Sequence, residues 1–367
     1  MTDQVRVGLI GTGFIGHIHA MSLHEANHAE LVAVASKTPG KAAQFAKDHH
    51  VADGYDDYRK LLDRSDIDAV IIGVPNYLHE ELVKAAADAG KHILIEKPFA
   101  RTLEEGQRML DAVAKAGVKM VYGEMLCFSP KYLRAKRLVD EGALGDVFLV
   151  KQSEQHDGPH MPWFWDVNLS GGGVLLDMGC HSIEFARWIL GKPKVERVIA
   201  SMGTFVHKGK TLGEDHSVCI IHFENNAMAV LENSWAKTGG IDDRCEILGS
   251  KGNTRADLIQ GNALVTHSKT GYGYAVEKAD TTQGWTFTGF EEEWNYGFPQ
   301  EVQHFVNVVL GKENPIETGE DGMEVLKIIY AAYQSAGEGR EIVFPYEPPR
   351  NLAKPIDLWL NGKKSQS

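Results

Sequence analysis

Short apolar runs alternate with longer amphipathic stretches through the first third of the chain. Val5 to Ile10, the "ELVAVAS" segment ending at Ser36, Ala69 to Val74, His92 to Ile95 and Lys119 to Tyr122 are brief and rich in apolar residues, which marks buried strands. Lys41 to His49, Glu80 to Ala89 and Leu103 to Ala116 read as helices, and another helix is expected soon after Ile10. Alternation of this length predicts a parallel, doubly wound α/β sheet.

Near Glu124 the period changes. Pro130 to Glu141 reads as a helix, and "VFLVKQSEQH", "VERVIASMGTF", "HSVCIIHFE", "AMAVLENSWA" and "RCEILGSKG" then follow strand-like alternation. That pattern predicts an α+β domain with a large, open, mainly antiparallel sheet covered on one face. The expected organisation is a first domain over residues 1–123 and a second over 124–345. A C-terminal arm and tail follow over 346–367, with "PYEPPRNLAKP" extended and "KKSQS" frayed.

One apolar segment carries charge where none is expected. In "GGGVLLDMGCHSIEFARW", a helix beginning near Leu175 puts Asp177, His181, Glu184 and Trp188 on one stripe, with Leu176, Met178, Ile183, Phe185, Ile189 and Leu190 supplying the packing. An unpaired buried charge costs several kcal/mol, so the Asp177 and His181 pair belongs either to a structural network or to a reactive cavity. Taken alone, the stripe suits a core histidine bonded to Asp177.

Composition narrows the classes. At 367 residues and 43% hydrophobic, the chain exceeds what one core usually organises. A net charge of −12 argues against nucleic acid as a partner. The four cysteines lack CxxC spacing, no leader precedes Val5, and no apolar run approaches the ~20 residues that span a bilayer. We expect a cytoplasmic protein of a reducing compartment, with no membrane partner.

Gly11, Gly13 and Gly16 follow the first strand with GxGxxG spacing. The first glycine makes the tight turn, the second admits a pyrophosphate and the third packs helix on sheet. In the alternating context this predicts a dinucleotide-binding Rossmann domain, with Phe14 and Ile15 in the phosphate turn. The second strand ends in Ser36 and Lys37, where a carboxylate would grip the 2′-hydroxyl of NAD; their presence favours NADP, while NAD stays open. Ligands of such sheets bind beyond the carboxyl ends of the strands, so Pro75, Asn76 and His79 in "GVPNYLHEE" and Glu96 and Lys97 in "ILIEKPFA" are further cofactor candidates. Lys97 alone reads equally well as a surface charge.

Together, "GLIGTGFIGHIHA", "VPNYLHEE", "EKPFA", "EGALGDV" and "GGGVLLDMGCHSIEFARWILG" resemble the Gfo/Idh/MocA family, which includes glucose-fructose oxidoreductase and inositol 2-dehydrogenase. The resemblance implies that Lys97, Asp177 and His181 form the catalytic cluster. It also implies a second domain whose bare sheet face makes a homo-oligomer, a dimer, tetramer or higher, and a nucleotide that some relatives hold tightly. This chain departs at Glu184, where the family commonly has Asp, and at "GEMLCF", where relatives often show an Asn-Arg pair; Glu184, as a brace or substrate ligand, and Glu124 are therefore candidate substrate contacts.

Upstream of the charged helix, "HDGPHMPWFWD" gathers His156, His160, Trp163, Trp165 and Asp166. Aromatic faces stack on sugar rings while imidazoles and carboxylates bond hydroxyls, so the loop suits a carbohydrate; an aromatic plug over the sheet edge explains it equally well. Gly-Pro between His156 and His160 departs from helical zinc-ligand spacing, so no metal is expected.

The expected activity is oxidation of a secondary hydroxyl of a sugar or glycoside, such as the 3-hydroxyl of a glucoside, by hydride transfer to NAD or NADP. His181 serves as base, Asp177 orients it, and Lys97 either bonds the developing alkoxide or takes the proton itself. An inositol or free-aldose dehydrogenase is the alternative within the class. A non-catalytic dinucleotide-sensing regulator is the alternative outside it, disfavoured by the intact Lys97, Asp177 and His181.

Overall fold

The computed structural model describes residues 4–262, 264–271, 281–288, 292–349, 352 and 354–366. The chain divides into two units, Met1–Phe128 with Gly297–Glu324, and Ser129–Tyr296 with Val325–Ser367.

In the first unit, β1 (Val5–Ile10), β2 (Ala29–Ala35), β3 (Asp53–Tyr55), β4 (Ala69–Ile72), β5 (His92–Glu96) and β6 (Met120–Gly123) form a parallel sheet in the order β3-β2-β1-β4-β5-β6. The chain reverses its winding between β1 and β4, the point where such sheets bind nucleotides. Helices α1 (Phe14–Glu25), α2 (Lys41–Asp48), α3 (Tyr58–Leu62), α4 (His79–Asp88) and α5 (Leu103–Ala116) connect the strands. The short β3 and α3 escape the sequence pattern because they are too brief to show a period.

The domain limit differs from the sequence expectation. Helix Phe298–Val309 lies far along the chain, yet its Val302, Phe305, Val306 and Val308 join the core built from Val5, Leu9, Ala20 and Val34. Its apolar stripe is buried in this core, and the Tyr122 N–H donates to Glu317 O at 3.1 Å. The first unit therefore continues to Phe128 and regains 297–324.

In the second unit, seven strands form one sheet: β7 (Val147–Gln155), β8 (Val195–Gly203), β9 (His216–Phe223), β10 (Met228–Ser234), β11 (Asp242–Gly249), β12 (Gly252–Asp257) and β15 (Ile342–Val343). Their order is β12-β11-β7-β10-β9-β8-β15, antiparallel except for the β7–β10 pair. A separate hairpin joins β13 (Leu264–Ser268) to β14 (Gly284–Thr288). Alternation is clean in β9, where Ser217, Cys219, Ile221 and Phe223 are buried while Val218 and Ile220 are only partly covered on the other face. Helix α6 (Pro130–Asp140) precedes the sheet, and α7 (Val167–Ser170), α8 (Val174–Asp177) and α9 (Gly179–Ile189) follow β7.

Two expectations are corrected here. The continuous helix from Leu175 is broken at Met178, which separates α8 from α9. Nor is the C-terminal stretch only an arm and tail: Asp357–Gln366 is helical, with Ile356 and Trp359 buried. It docks through glycine, since a Cβ on Gly362 would lie 2.2 Å from Gly337 O.

Candidate active site

The turn after β1 has the shape its glycines require. Gly11 has φ +119°, and a Cβ there would lie 2.0 Å from Gly73 O; one on Gly16 would lie 2.4 Å from Gly11 O. A Cβ on Gly13 would meet nothing within 4 Å, so this backbone faces open space. Gly13 caps α1 with no side-chain hydrogen bond, and no acid stands in the first turn. Bare backbone at the positive end of a helix fits a dinucleotide pyrophosphate. Phe14 is exposed at this turn, whereas Ile15 packs towards Gly73.

At the end of β2, Ser36 donates its backbone N–H to Tyr55 O at 3.0 Å, and Lys37 Nζ donates to Tyr77 Oη at 2.6 Å. Beyond β4, Pro75 leads into a short turn in which Asn76 is buried. The His79 ring lies between two carbonyls, Val74 O at 3.0 Å and Phe99 O at 3.2 Å. Burial lowers its pKa, so the neutral ring donates to one of them and braces two loops of the crevice.

Glu96, at the end of β5, accepts from the Lys97 N–H through Oε2 at 3.0 Å, and its Oε1 lies 2.7 Å from His19 Nε2. Lys97 is partly exposed, and Glu124 follows the neighbouring strand in complete burial. Burial pushes the Glu124 carboxyl up to about 8, opposed by the charge of Lys97. His19 and Glu301 were not singled out by sequence, although Glu301 interrupts an apolar stripe of Phe298, Val302 and Phe305 as plainly as Asp177 interrupts its own. Ligand-capable atoms of His19, Glu96 and Glu301 lie within 4.8 Å of one another.

In the second unit, Asp177 and His181 are both buried, in α8 and α9. Trp235 Nε1 donates to Asp177 Oδ2 at 3.1 Å. The start of α8 is pinned by Glu214, whose Oε1 accepts from the Leu175 N–H and from Tyr333 Oη, each at 2.8 Å. The preceding glycines permit this: a Cβ on Gly173 would lie 2.3 Å from Glu214 O, and one on Gly172 2.4 Å from Tyr333 Oη.

The rings of the aromatic loop pack on one another and on Trp235. Trp163 stacks on Phe164 at 3.8 Å, and Phe164 and Trp165 meet Trp235 edge-on at 6.3 and 5.5 Å. Trp165 also contacts His207, with Lys210 Nζ 5.5 Å from its ring. His156 is buried and its ring meets that of the exposed His160 at 4.8 Å. Asp166 accepts from the Asn168 N–H at 2.9 Å, capping α7. Glu184 is fully buried and ion-paired to Arg187 and Lys192, which makes it a brace of α9.

Residues 5–124 match the oxidoreductase family with the NAD-binding Rossmann fold of Gfo/Idh/MocA, and residues 132–255 match the GFO/IDH/MocA C-terminal domain. The chain belongs to the Gfo/Idh/MocA family. It is an oxidoreductase, and its relatives within that family include sugar and polyol dehydrogenases. It is 32% identical to the uncharacterized oxidoreductase YrbE of Bacillus subtilis (strain 168), over 93% of this chain and 97% of that one. It is 30% identical to the myo-inositol 2-dehydrogenase of Thermotoga maritima, over 92% and 98%. Among solved structures, the Gfo/Idh/MocA chain is similar to GenD2 from gentamicin A biosynthesis in complex with NAD, with TM-score 0.87 and 28% identity over 94% of this chain and 97% of that one. No helix among the described residues is long and apolar enough to cross a membrane.

Proposed function

We propose that the protein is an NAD(P)-dependent dehydrogenase oxidising a secondary hydroxyl of a sugar or glycoside, with the ring 3-hydroxyl of a glucoside as first candidate. What carries the reading is the buried Asp177 and His181 pair, with Asp177 fixed by Trp235 under an aromatic loop, in a chain whose other unit has the dinucleotide cradle and Lys97 at its crevice.

A dinucleotide held at the Gly11, Gly13 and Gly16 turn would supply the hydride acceptor for the carbon-bound hydrogen; the chain's own residues handle the proton. His181 takes the hydroxyl proton as general base, the role imidazole most often fills. Asp177, held by the Trp235 indole, orients the imidazole and stabilises its charged form. Lys97 donates a hydrogen bond to the developing alkoxide. Trp165 supplies an aromatic face for a sugar ring, while Glu184 and Asp166, engaged in bracing and capping, act indirectly.

The test is a panel of glycosides, aldoses and inositols with each nucleotide, run beside Lys97→Ala and His181→Ala. Each variant should lose about a hundredfold or more in kcat/KM, the usual scale for a lost acid or base. Wild-type turnover in either would refute these roles. The inositol reading is favoured by the Thermotoga maritima relative and wins if inositols alone are oxidised.

Two finer assignments belong to the same proposal. Ser36 and Lys37 accommodate the 2′-phosphate of NADP, and denaturing the purified protein would release any tightly held nucleotide for identification. The outer face of the second sheet carries Ile199, Val218, Ile220 and Val230, partly or well exposed, and an apolar sheet face of this kind is unusual on a monomer. We assign it to a homo-oligomer; light scattering at the monomer mass would contradict that.

A further inference from the structure

Three glutamates of the first unit sit in a small buried region: Glu96 at the end of β5, Glu124 just past β6, and Glu301 in the first turns of helix Phe298–Val309. Carboxylates buried together must be neutralised by protons or cations. Their surroundings give them different charges. Glu96 takes the Lys97 N–H on one oxygen and His19 Nε2 on the other, the environment of an anion. Among the described residues Glu301 has no hydrogen-bond partner on either oxygen; burial first, then the like charges of Glu96 and Glu124, push it well above the carboxylate range. It remains a neutral acid. Glu124 lies between these extremes: burial pushes it up to about 8, Lys97 and a hydrogen bond from the Leu126 N–H pull it down, and Glu96 pushes it up.

Strand register puts Glu124 next to Lys97. Glu96 pairs with Gly123 in the parallel β5–β6 ladder, so Lys97 and Glu124 directly follow the last paired position of two neighbouring strands, and the charge of Lys97 acts on the Glu124 carboxyl. We propose that Glu124 is a positioning residue acting through Lys97, a buried carboxyl whose negative charge keeps the lysine amine protonated as the solution becomes alkaline. This deepens the reading of Lys97 as hydrogen-bond donor to the developing alkoxide and rests on it.

A lysine in that role must stay an ammonium, yet partial burial beside a positively charged nicotinamide works against the charge. Within the first unit, the titratable groups gathered here are His19 from α1, Glu96 at the end of β5 with Lys97 just past it, Glu124 just past β6 and Glu301 from the late helix. Of the three carboxyls, Glu124 is the one that burial pushes up to about 8 against the opposing charge of Lys97, so it is the one poised to gain its charge as the solution turns alkaline.

The experiment compares pH profiles of kcat for the wild type, Glu124→Gln and Glu124→Asp. It also follows acetylation of Lys97 by acetic anhydride across pH, read by mass spectrometry of the Lys97 peptide. In Glu124→Gln the alkaline limb should move about one unit to lower pH, about tenfold in activity on that limb. Lys97 acetylation should begin correspondingly earlier, while Glu124→Asp keeps the wild-type limb. An unshifted limb with unshifted acetylation in folded Glu124→Gln overturns the proposal. Should that variant not fold, the wild-type acetylation curve decides: a Lys97 midpoint at or below that of exposed Lys47 overturns it too. Lys97→Ala separates the claims, since wild-type turnover there sinks the catalytic reading while acetylation still reports whether Glu124 holds the lysine charge.

Discussion

Trp235 donates its indole N–H to Asp177 Oδ2, and this one bond ties the end of β10 to a residue that orients the proposed base. A hydrogen bond to a charged group is worth about 1.5–3 kcal/mol. Trp235→Phe keeps most of the ring's packing while removing the donor, so kcat should fall about tenfold to a hundredfold with KM changing much less; steady-state kinetics on the best substrate checks this. Lys37→Ala should lower kcat/KM for NADP about tenfold and leave NAD nearly unchanged, because only NADP carries the phosphate that Lys37 would meet. Asp177 was legible in the sequence because a carboxylate in an apolar stripe is conspicuous. Trp235 was not, since a tryptophan closing an alternating strand looks like ordinary core. Glu301 gave a signal, but its neighbours Glu96 and Glu124 lie so far upstream that only the folded sheet brings them near.

The segment from Gly171 to Ile189 shows how far periodicity reaches at the scale of an element. Its apolar positions follow one helical pattern throughout, which is why the sequence predicts a single helix. The structure interrupts it at Met178 because the first turn is fixed separately, by Glu214 and Tyr333. Long-range partners set the break, and local pattern does not report them. The glycines record those partners indirectly. Gly173→Ala would push a methyl group against Glu214 O, and α8 would have to move away from its pin. Overpacking of this kind costs about 1–3 kcal/mol. Urea denaturation should show that loss, and kcat should fall as well, because Asp177 ends the displaced turn. By the same logic, helix Phe298–Val309 was invisible as part of the first unit: its apolar stripe announces burial without naming the core it enters.

For the molecule as a whole, buried carboxyls give stability an unusual dependence on pH. Burial raises Glu124 to about 8 and Glu214 to about 7, and it raises Asp243 as well. Each binds its proton more tightly when folded than when unfolded, so each contributes stability that is full below the unfolded value near ~4 and is lost as pH rises through the folded value. Three histidines act oppositely. Burial lowers His49, His79 and His92, so stability gained from their neutrality is complete once pH passes their unfolded value near ~6.5. Between about pH 6.5 and 8 the carboxyl effect is therefore unopposed by these groups. Thermal melts should show Tm falling across that window. Glu214→Gln should flatten part of the fall, because the amide cannot ionise yet still accepts from the Leu175 N–H. A Tm that rises steadily from pH 6.5 to 8 would show that Glu124, Glu214 and Asp243 are already ionised in the folded protein.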